Sequence, residues 1–363
     1  MDRTLVVSDL HLGSRSGSDV LRRDGVLEAL LEALEGVERL VLLGDTLEMR
    51  QGRASVVLER SRPVLERLGA VLAGRTVVLV PGNHDHALLG SWLERRGAAA
   101  LALEQRCAPA QASFAAETVA SMLAPAQVEV AYPGVWLSGD IYALHGHYLD
   151  VHMTMPTIER IAVAISGRVS LDGGRRWDDV GAPEDYEAVI APVYAWAHAA
   201  AQSGRPSPTV EGGRTVSTWQ SLRGTRGRAL RRRVLPLAFP WIVRAANALG
   251  LGPLRSELTT DELRRSGLRA AGTVVERLGI EARHVIFGHT HRAGMIDGDI
   301  AGEWLLPYGA RLHNAGSWTF SRAFSSSPQS PYWPGTAVLV EDGAPPRLLS
   351  LLRERSAAEL GGA

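Results

Sequence analysis

The sequence predicts an α/β fold, and two observations support this prediction. Strand-like runs at Thr4–Ser8, Arg39–Gly44 and Thr76–Pro81 alternate with helical patterns near Asp19–Leu34 and Ala54–Ala73, as expected for βαβ units. In addition, five short polar blocks each follow a run of β-type apolar residues, a placement typical of loops at the carboxyl ends of strands. The sequence therefore predicts a sheet whose loops carry a functional site.

The first predicted helix is amphipathic. Val20, Leu27, Leu30, Leu31 and Leu34 recur at helical spacing, while the charged residues of this segment fall at other positions. Such a helix has one apolar stripe and packs that stripe on a sheet.

The strand pattern is interrupted in the middle of the chain. After His145 it gives way to helical runs rich in Ala, Arg, Trp and Leu, which extend to about Gly272. Strand patterns resume at His284–Gly288 and continue at Thr336–Glu341 and Arg347–Leu352. The predicted divisions are a core formed by residues 1–148 and 273–352, a helical insertion over 149–272, and a C-terminal tail over 353–363.

The polar blocks have the residue types of a catalytic metal site. The only cysteine, Cys107, lies outside every block. Carboxylate and amide oxygens and imidazole nitrogens suit Mn, Fe or Zn better than they suit thiolate-preferring ions. The blocks are Asp9-Leu10-His11, Gly44-Asp45, Gly82-Asn83-His84-Asp85, His145-Gly146-His147 and Gly288-His289-Thr290-His291.

Taken singly, some of these blocks also have ordinary structural explanations. Asp9 could cap the helix predicted from near Asp19, and Gly44-Asp45 is common turn chemistry. The GNHD and GHTH blocks are more specific. All five together, in this order, favour a functional site.

In type and order, the blocks resemble the motifs of the calcineurin-like metallophosphoesterases. The resemblance covers roughly residues 1–148 and 273–352 and implies a sandwich of two sheets flanked by helices. It further implies a two-metal centre in which Asp45 bridges the ions and a hydroxide between them attacks a phosphoester or pyrophosphate bond. The implied ligands are Asp9, His11, Asp45 and His291 for one ion, and Asp45, Asn83, His145 and His289 for the other.

The third block contains two residues that we expect to be catalytic. Under the resemblance His84 binds no metal, and an imidazole beside the ions can protonate the leaving oxygen or stabilise developing negative charge. Asp85 is expected to hold the His84 ring in orientation. For the two divalent ions Mn is the first expectation, with Fe or Zn as alternatives.

The chain is also similar to the UDP-2,3-diacylglucosamine pyrophosphatases, which cleave a lipid-linked pyrophosphate at the membrane surface. It shares their DLHLG start and a long insertion after HG. It differs at His84, where that group has Arg, and at His147, where that group has Asp. These differences favour the broader phosphoesterase pattern.

A basic stretch in the insertion predicts a contact with substrate or membrane. Arg231, Arg232 and Arg233 lead into the apolar run Val234–Val243, which is too short to span a bilayer but suits an interfacial element. The alternative is a solvated helix face followed by ordinary core. We expect these arginines and His147 to bind a phosphorylated small molecule or a lipid-linked substrate, with an anionic membrane surface as a further partner.

Charge and composition limit the other functional classes. Lys+Arg and Asp+Glu both total 39, so no net field favours nucleic acid, and nucleic acid is not expected as a partner. A nuclease or cyclic-nucleotide phosphodiesterase with the same centre is one alternative, and a non-catalytic binding scaffold is another. One cysteine and no visible leader predict a cytoplasmic protein, peripheral to the inner face of the membrane if the basic stretch binds lipid. The sequence leaves the oligomeric state open.

Overall fold

The computed structural model describes residues 3–97, 99–155, 158–170, 180–204, 243–244, 247–248, 252–255 and 259–361. By internal contacts the chain divides into two compact units. The first comprises Met1–His147, Ala201–Gly204 and Ile280–Ala363, and the second comprises Tyr148–Ala200 and Arg205–Gly279. Arg231, Arg232 and Arg233 lie outside the described residues, so their predicted contact with substrate or membrane stays a prediction.

The strands of the described chain form one continuous path in the order β11-β10-β1-β2-β3-β5-β6-β7-β9-β8, with β4 paired to β5. The strands β1 to β3 are mutually parallel, as are β6, β7 and β9. Their bounds are β1 (Arg3–Val7), β2 (Arg39–Leu43), β3 (Thr76–Val80), β4 (Glu104–Cys107), β5 (Gln127–Ser138), β6 (Ile141–Leu144), β7 (His284–Phe287), β8 (Ala293–Gly294), β9 (Arg311–Ala315), β10 (Thr336–Glu341) and β11 (Arg347–Ser350).

The long strand β5 belongs to both halves of this path. Residues 127–130 pair with β3, whereas residues 134–138 pair with β6. Alternate side chains of the two halves, including Val41 and Val78 from one and Ala143 and Ile286 from the other, form a single buried cluster. Because side chains on one face of a strand recur at every second residue, this cluster is the interior between two facing sheets. The predicted two-sheet sandwich is therefore confirmed.

Helices cover the outer face of the sheet that contains β1, β2 and β3. The side chains of Leu5, Leu40 and Val77 point away from the sandwich interior and pack with Leu30 and Leu65 from helices. Each such fully buried side chain stabilises the fold by about 1.5–3 kcal/mol. The helices of this unit are α1 (Val26–Ala33), α2 (Ala54–Val71), α3 (Gly90–Arg96), α4 (Pro109–Ala112), α5 (Phe114–Met122) and α10 (Ala357–Gly361).

The predicted first helix is divided in the structure. A short 3₁₀ turn occupies Val20–Arg22, and α1 starts only after Gly25, which has a left-handed φ of 72°. A left-handed residue cannot continue a right-handed helix, and glycine adopts this conformation without steric cost. The helical pattern is thus real, but the single continuous helix predicted over Asp19–Leu34 is wrong.

The described part of the second unit is helical. Its helices are α6 (Leu149–His152), α7 (Ile158–Ser170), α8 (Pro183–Gln202, which ends in the first unit) and α9 (Thr260–Arg277). The α9 helix is capped by Thr259, whose hydroxyl accepts a hydrogen bond from the backbone N–H of Glu262, and it runs across the predicted division at 272/273. Among the described residues, no helix combines the length and apolarity needed to cross a bilayer.

Candidate metal centre

All five polar blocks lie in loops at the carboxyl ends of strands in the first unit. The blocks follow β1, β2, β3, β6 and β7 in turn. Backbone hydrogen bonds join the first two loops directly, since Asp9 N–H donates to Gly44 O at 3.1 Å and His11 N–H donates to Asp45 O at 2.8 Å. The parallel strands thus bring residues distant in sequence to one edge of the sandwich.

These loops are held in an unusual backbone conformation. Among the described residues, positive φ angles outside glycine occur only in the predicted ligands. A non-glycine residue in this left-handed region is sterically disfavoured by about 1–3 kcal/mol, and it persists only where the surroundings enforce it. The residues are Asp9 (56°), His11 (46°), Asp45 (51°), His289 (65°) and His291 (57°).

Four of the predicted ligands converge on one point, which we call the first metal position. His291 Nε2 lies 3.1 Å from Asp9 Oδ1 and 3.1 Å from His11 Nε2. His11 Nε2 is in turn 3.6 Å from Asp45 Oδ2. Ligand atoms of Asp9, His11 and His291 lie close enough together to hold one ion.

A second group of ligands converges on the other side of Asp45, at the second metal position. Asp45 Oδ2 lies 3.4 Å from His145 Nε2. Asn83 Oδ1 lies 3.1 Å from His145 Nε2 and 3.1 Å from His289 Nδ1. Asp45 Oδ2 is therefore common to both groups, as the resemblance implies for a bridging carboxylate.

The donor chemistry of both positions fits cations. The outer nitrogens of three rings have acceptors: His11 Nδ1 contacts Glu48 Oε2 at 3.0 Å, His145 Nδ1 contacts Leu43 O at 3.0 Å, and His291 Nδ1 contacts Thr319 Oγ1 at 3.1 Å. In the neutral rings this arrangement leaves the inner nitrogens as lone pairs, which is how protein histidines are oriented for metals. Lone pairs that face one another repel unless a cation lies between them.

One buried carboxylate oxygen also indicates a cation at the first metal position. Asp9 Oδ1 is inaccessible to solvent, and apart from the His291 ring at 3.1 Å it has no hydrogen-bond partner, a costly state for a carboxylate oxygen. A divalent ion at the first metal position would satisfy it.

The pKa shifts of the carboxylates and histidines favour positive charge in the site. Burial alone would raise the pKa of Asp9 and of Asp45, but the neighbouring histidines outweigh burial and hold both carboxyl pKa values well below the usual range. Conversely, burial would lower the pKa of His145, yet Asp45 outweighs it and raises that pKa to about 9. Divalent ions supply the same positive charge without protons.

Glu48 is a site residue that sequence reasoning missed. Its buried carboxylate accepts from His84 Nδ1 at 2.8 Å and from His11 Nδ1 at 3.0 Å, so it joins a metal ligand to the candidate acid. Gln51 Nε2 also donates to it at 3.1 Å. The signal in the sequence was its position three residues after Asp45, within the same loop.

The expectation for Asp85 is wrong. Its carboxylate does not hold the His84 ring but accepts backbone N–H groups from Gly82 at 2.7 Å, Thr46 at 2.8 Å and Leu47 at 3.2 Å. Buried N–H groups need acceptors, and Asp85 supplies them to the Asp45 loop. Burial and the adjacent Asp45 raise the pKa of Asp85 to about 6.

His84 itself is placed beside the metal positions and reaches solvent. Its side chain is 21% exposed, and its Nε2 lies 4.0 Å from Asp45 Oδ2. Its backbone N–H donates to Asp45 Oδ1 at 2.7 Å, which anchors one oxygen of that carboxylate and leaves the other to face both metal positions.

The predicted substrate contact at His147 is not supported by its position. The ring is buried, stacks on Tyr132 and lies with Nε2 3.0 Å from the Tyr132 hydroxyl. Burial, with a further contribution from His145, holds the pKa of His147 well below its ordinary value. His147 is therefore a neutral, packed residue behind the metal centre.

Comparisons with known proteins are consistent with this geometry. A family model described as calcineurin-like phosphoesterase matches residues 2–162. No curated protein matches the chain. Among solved structures, a dimetal phosphatase from Danio rerio is 13% identical and covers 96% of this chain and 99% of its own, but at a TM-score of 0.33 this similarity does not establish a common fold.

The matched region contains four of the five blocks, and the sandwich carries all five on adjacent loops. Residues 2–162 therefore match the calcineurin-like phosphoesterase family, and the site has the residue types of a metallophosphoesterase.

Proposed function

We propose that this enzyme hydrolyses a phosphoester or pyrophosphate bond at a centre of two divalent ions, with Mn as the metal. The observation that carries the proposal is the position of Asp45 Oδ2, 3.6 Å from His11 Nε2 on one side and 3.4 Å from His145 Nε2 on the other. One carboxylate oxygen thus serves both ligand groups. The donors are oxygen and imidazole without thiolate, which suits Mn as well as Fe or Zn.

The residues around this centre have separate roles. Two divalent ions would lower the pKa of a shared water and stabilise both the attacking and the leaving oxygen of the phosphoryl group. Asp45 orients toward both positions because its other oxygen is fixed by the backbone N–H of His84. Glu48 fixes the His11 ring through Nδ1, so that His11 Nε2 faces the first metal position.

His84 is the residue best placed to donate to the leaving oxygen. Because the Glu48 carboxylate accepts from Nδ1, His84 Nε2 is directed away from Glu48 and carries a proton only in the imidazolium form. Burial lowers the pKa of His84, whereas Glu48 and Asp45 oppose this effect. The pKa of His84 is lowered overall, so the imidazolium that Glu48 orients can readily release its proton as negative charge develops on the leaving oxygen.

Hydrolysis by the Mn-loaded protein tests this function. We expect turnover of p-nitrophenyl phosphate, bis-p-nitrophenyl phosphate or a nucleoside diphosphate sugar, and loss of that turnover in Asp45→Asn. The exposed Asp297 provides a matched control, Asp297→Asn. Preferential cleavage of single-stranded DNA or a cyclic nucleotide would establish the alternative activity, and no turnover of any substrate by folded, metal-loaded protein would favour a binding scaffold.

For the substrate class we propose a lipid-linked phosphate or pyrophosphate, reached from an anionic membrane surface at the cytoplasmic face. The support is the sequence of Arg231, Arg232 and Arg233 next to an apolar run. Near an anionic leaflet each basic residue contributes about 1 kcal/mol, and screening by salt reduces this attraction.

Vesicle sedimentation tests the membrane proposal separately from catalysis. Full-length protein is expected to bind vesicles containing phosphatidylglycerol at low salt and to dissociate as salt rises. Replacing Arg231, Arg232 and Arg233 by Gln should weaken binding, whereas the same change at the exposed Arg15, Arg60 and Arg353 should not. Absence of binding at low salt would leave a soluble phosphorylated substrate as the class.

A further inference from the structure

Arg50 lies buried directly behind a ligand of the second metal position. Its side chain is 1% exposed. The guanidinium Nη1 lies 3.0 Å from one end of the Asn83 amide, and the other end of that amide faces Asp45, His145 and His289. The amide therefore stands between a cationic donor and a group of metal ligands.

The amide has two orientations with opposite consequences. With Oδ1 toward His145 and His289, the oxygen lies 3.1 Å from each ring nitrogen, among acceptors only. The amide nitrogen then faces Arg50 Nη1, so two donors oppose each other. This orientation is favourable when positive charge faces Oδ1, as a cation at the second metal position would supply.

Turning the amide over reverses each contact. Oδ1 then accepts from Arg50 Nη1 at 3.0 Å, while Nδ2 reaches Asp45 Oδ2 at 3.2 Å and His145 Nε2 at 3.1 Å. All of these contacts pair a donor with an acceptor. In this orientation the amide N–H groups take the place of the second cation and satisfy the same buried atoms.

We propose that Arg50 is a positioning residue that competes with the second metal ion for Asn83 Oδ1. Binding of the second ion turns the amide and breaks its hydrogen bond to Arg50, so the second ion binds more weakly than the first. The first metal position has no contact with the Asn83 oxygen and shares only Asp45 Oδ2 with the turned amide, so the turn affects it less than the second position. This inference rests on the proposed two-ion centre.

Stepwise Mn²⁺ titration of metal-free protein by calorimetry tests the competition without measuring activity. In Arg50→Met the second ion should bind about tenfold to a hundredfold more tightly, because a hydrogen bond to a charged donor no longer has to be broken. The first binding constant should change much less. Arg50→Lys keeps the positive charge, so it is the matched control for long-range repulsion between that charge and the metal ions.

The double variant separates amide competition from simple charge repulsion. An aspartate at position 83 has two oxygens, one for Arg50 and one for the ion, so in the Asn83→Asp background Arg50→Met should give at most a few-fold gain. An equal gain in both backgrounds would overturn the competition. Circular dichroism and thermal unfolding of each variant identify those that fold.

The unaltered protein provides an independent readout. The side-chain amide signal of Asn83, identified by its loss in Asn83→Asp, should shift in ¹⁵N NMR only as the second equivalent of diamagnetic Zn²⁺ binds. A shift with the first equivalent, or no shift at all, would contradict the amide turn. If each protein binds at most one ion, the two-ion centre and the role of Arg50 both fail; if each binds two with an unchanged second constant, only the role of Arg50 fails.

Discussion

Glu48 Oε1 accepts a hydrogen bond from His84 Nδ1 at 2.8 Å, while the second oxygen of the same carboxylate contacts His11 Nδ1 at 3.0 Å. One buried carboxylate thus orients both a metal ligand and the residue expected to protonate the leaving group. Removing the charge of Glu48 should therefore change two measurements: turnover through His11, and the pH profile through His84.

Glu48→Gln is expected to lower turnover about 10–100-fold, the usual range for loss of a group that orients a metal ligand. The pH profile should also shift to lower pH, because an amide stabilises the His84 imidazolium less than a carboxylate does. The exposed Glu59 provides the control Glu59→Gln. An unchanged pH profile would show that Glu48 only supports the loop.

His84→Ala should lower turnover by about 10²–10⁴-fold on substrates with alkoxide leaving groups, with both metals retained. The loss should be smaller for nitrophenyl esters, whose leaving group needs no proton. Equal losses on both substrate types would favour charge stabilisation over proton donation. Metal content by mass spectrometry of the purified variant checks that the centre is intact.

Asp45→Asn should remove activity while the protein still folds, because a neutral amide cannot balance two divalent charges. Metal analysis after reconstitution with excess Mn²⁺ should give two ions per wild-type chain and fewer in the variant. A wild-type chain that binds no more than one ion would contradict the two-ion centre.

The sequence predicted the positions of the site more completely than its internal contacts. The strands expected at Thr4–Ser8, Arg39–Gly44 and Thr76–Pro81 correspond to β1, β2 and β3, because buried parallel strands appear as continuous apolar runs. Since the carboxyl ends of such strands meet at one edge, ligands far apart in sequence could be expected to converge.

Side-chain partners were harder to predict, because they depend on how the loops meet. Glu48 follows Asp45 on one loop but contacts residues from two others, so local sequence gave no reason to prefer it over Asp85 as the partner of His84. Asp85 lies beside His84 in sequence but is directed at backbone N–H groups of a neighbouring loop. Likewise, helical periodicity did not reveal that Gly25 would adopt a left-handed conformation.

Stability should decrease on mild acidification through His313. This ring lies on β9 with Nε2 3.0 Å from His284 Nδ1, and burial, followed by the charges of His284 and Arg311, lowers its pKa from 6.5 to about 3. Between these values the unfolded chain binds a proton that the folded chain does not, so stability is lost as pH falls from 6.5 toward 3. His313→Gln should reduce the difference in urea midpoint between pH 7 and pH 4, and an unchanged difference would exclude His313 as a cause.

The left-handed backbone conformation of the metal ligands limits how this enzyme can be stabilised. At Asp9, His11, Asp45, His289 and His291 the side chain required by the chemistry occupies a backbone conformation that only glycine adopts freely. Glycine at any one of these positions relieves that strain and removes a polar group that needs a cation, so metal-free protein should gain thermal stability as it loses metal affinity. Directed evolution for heat resistance alone would thus select against the catalytic centre, and only a joint selection for turnover would preserve it.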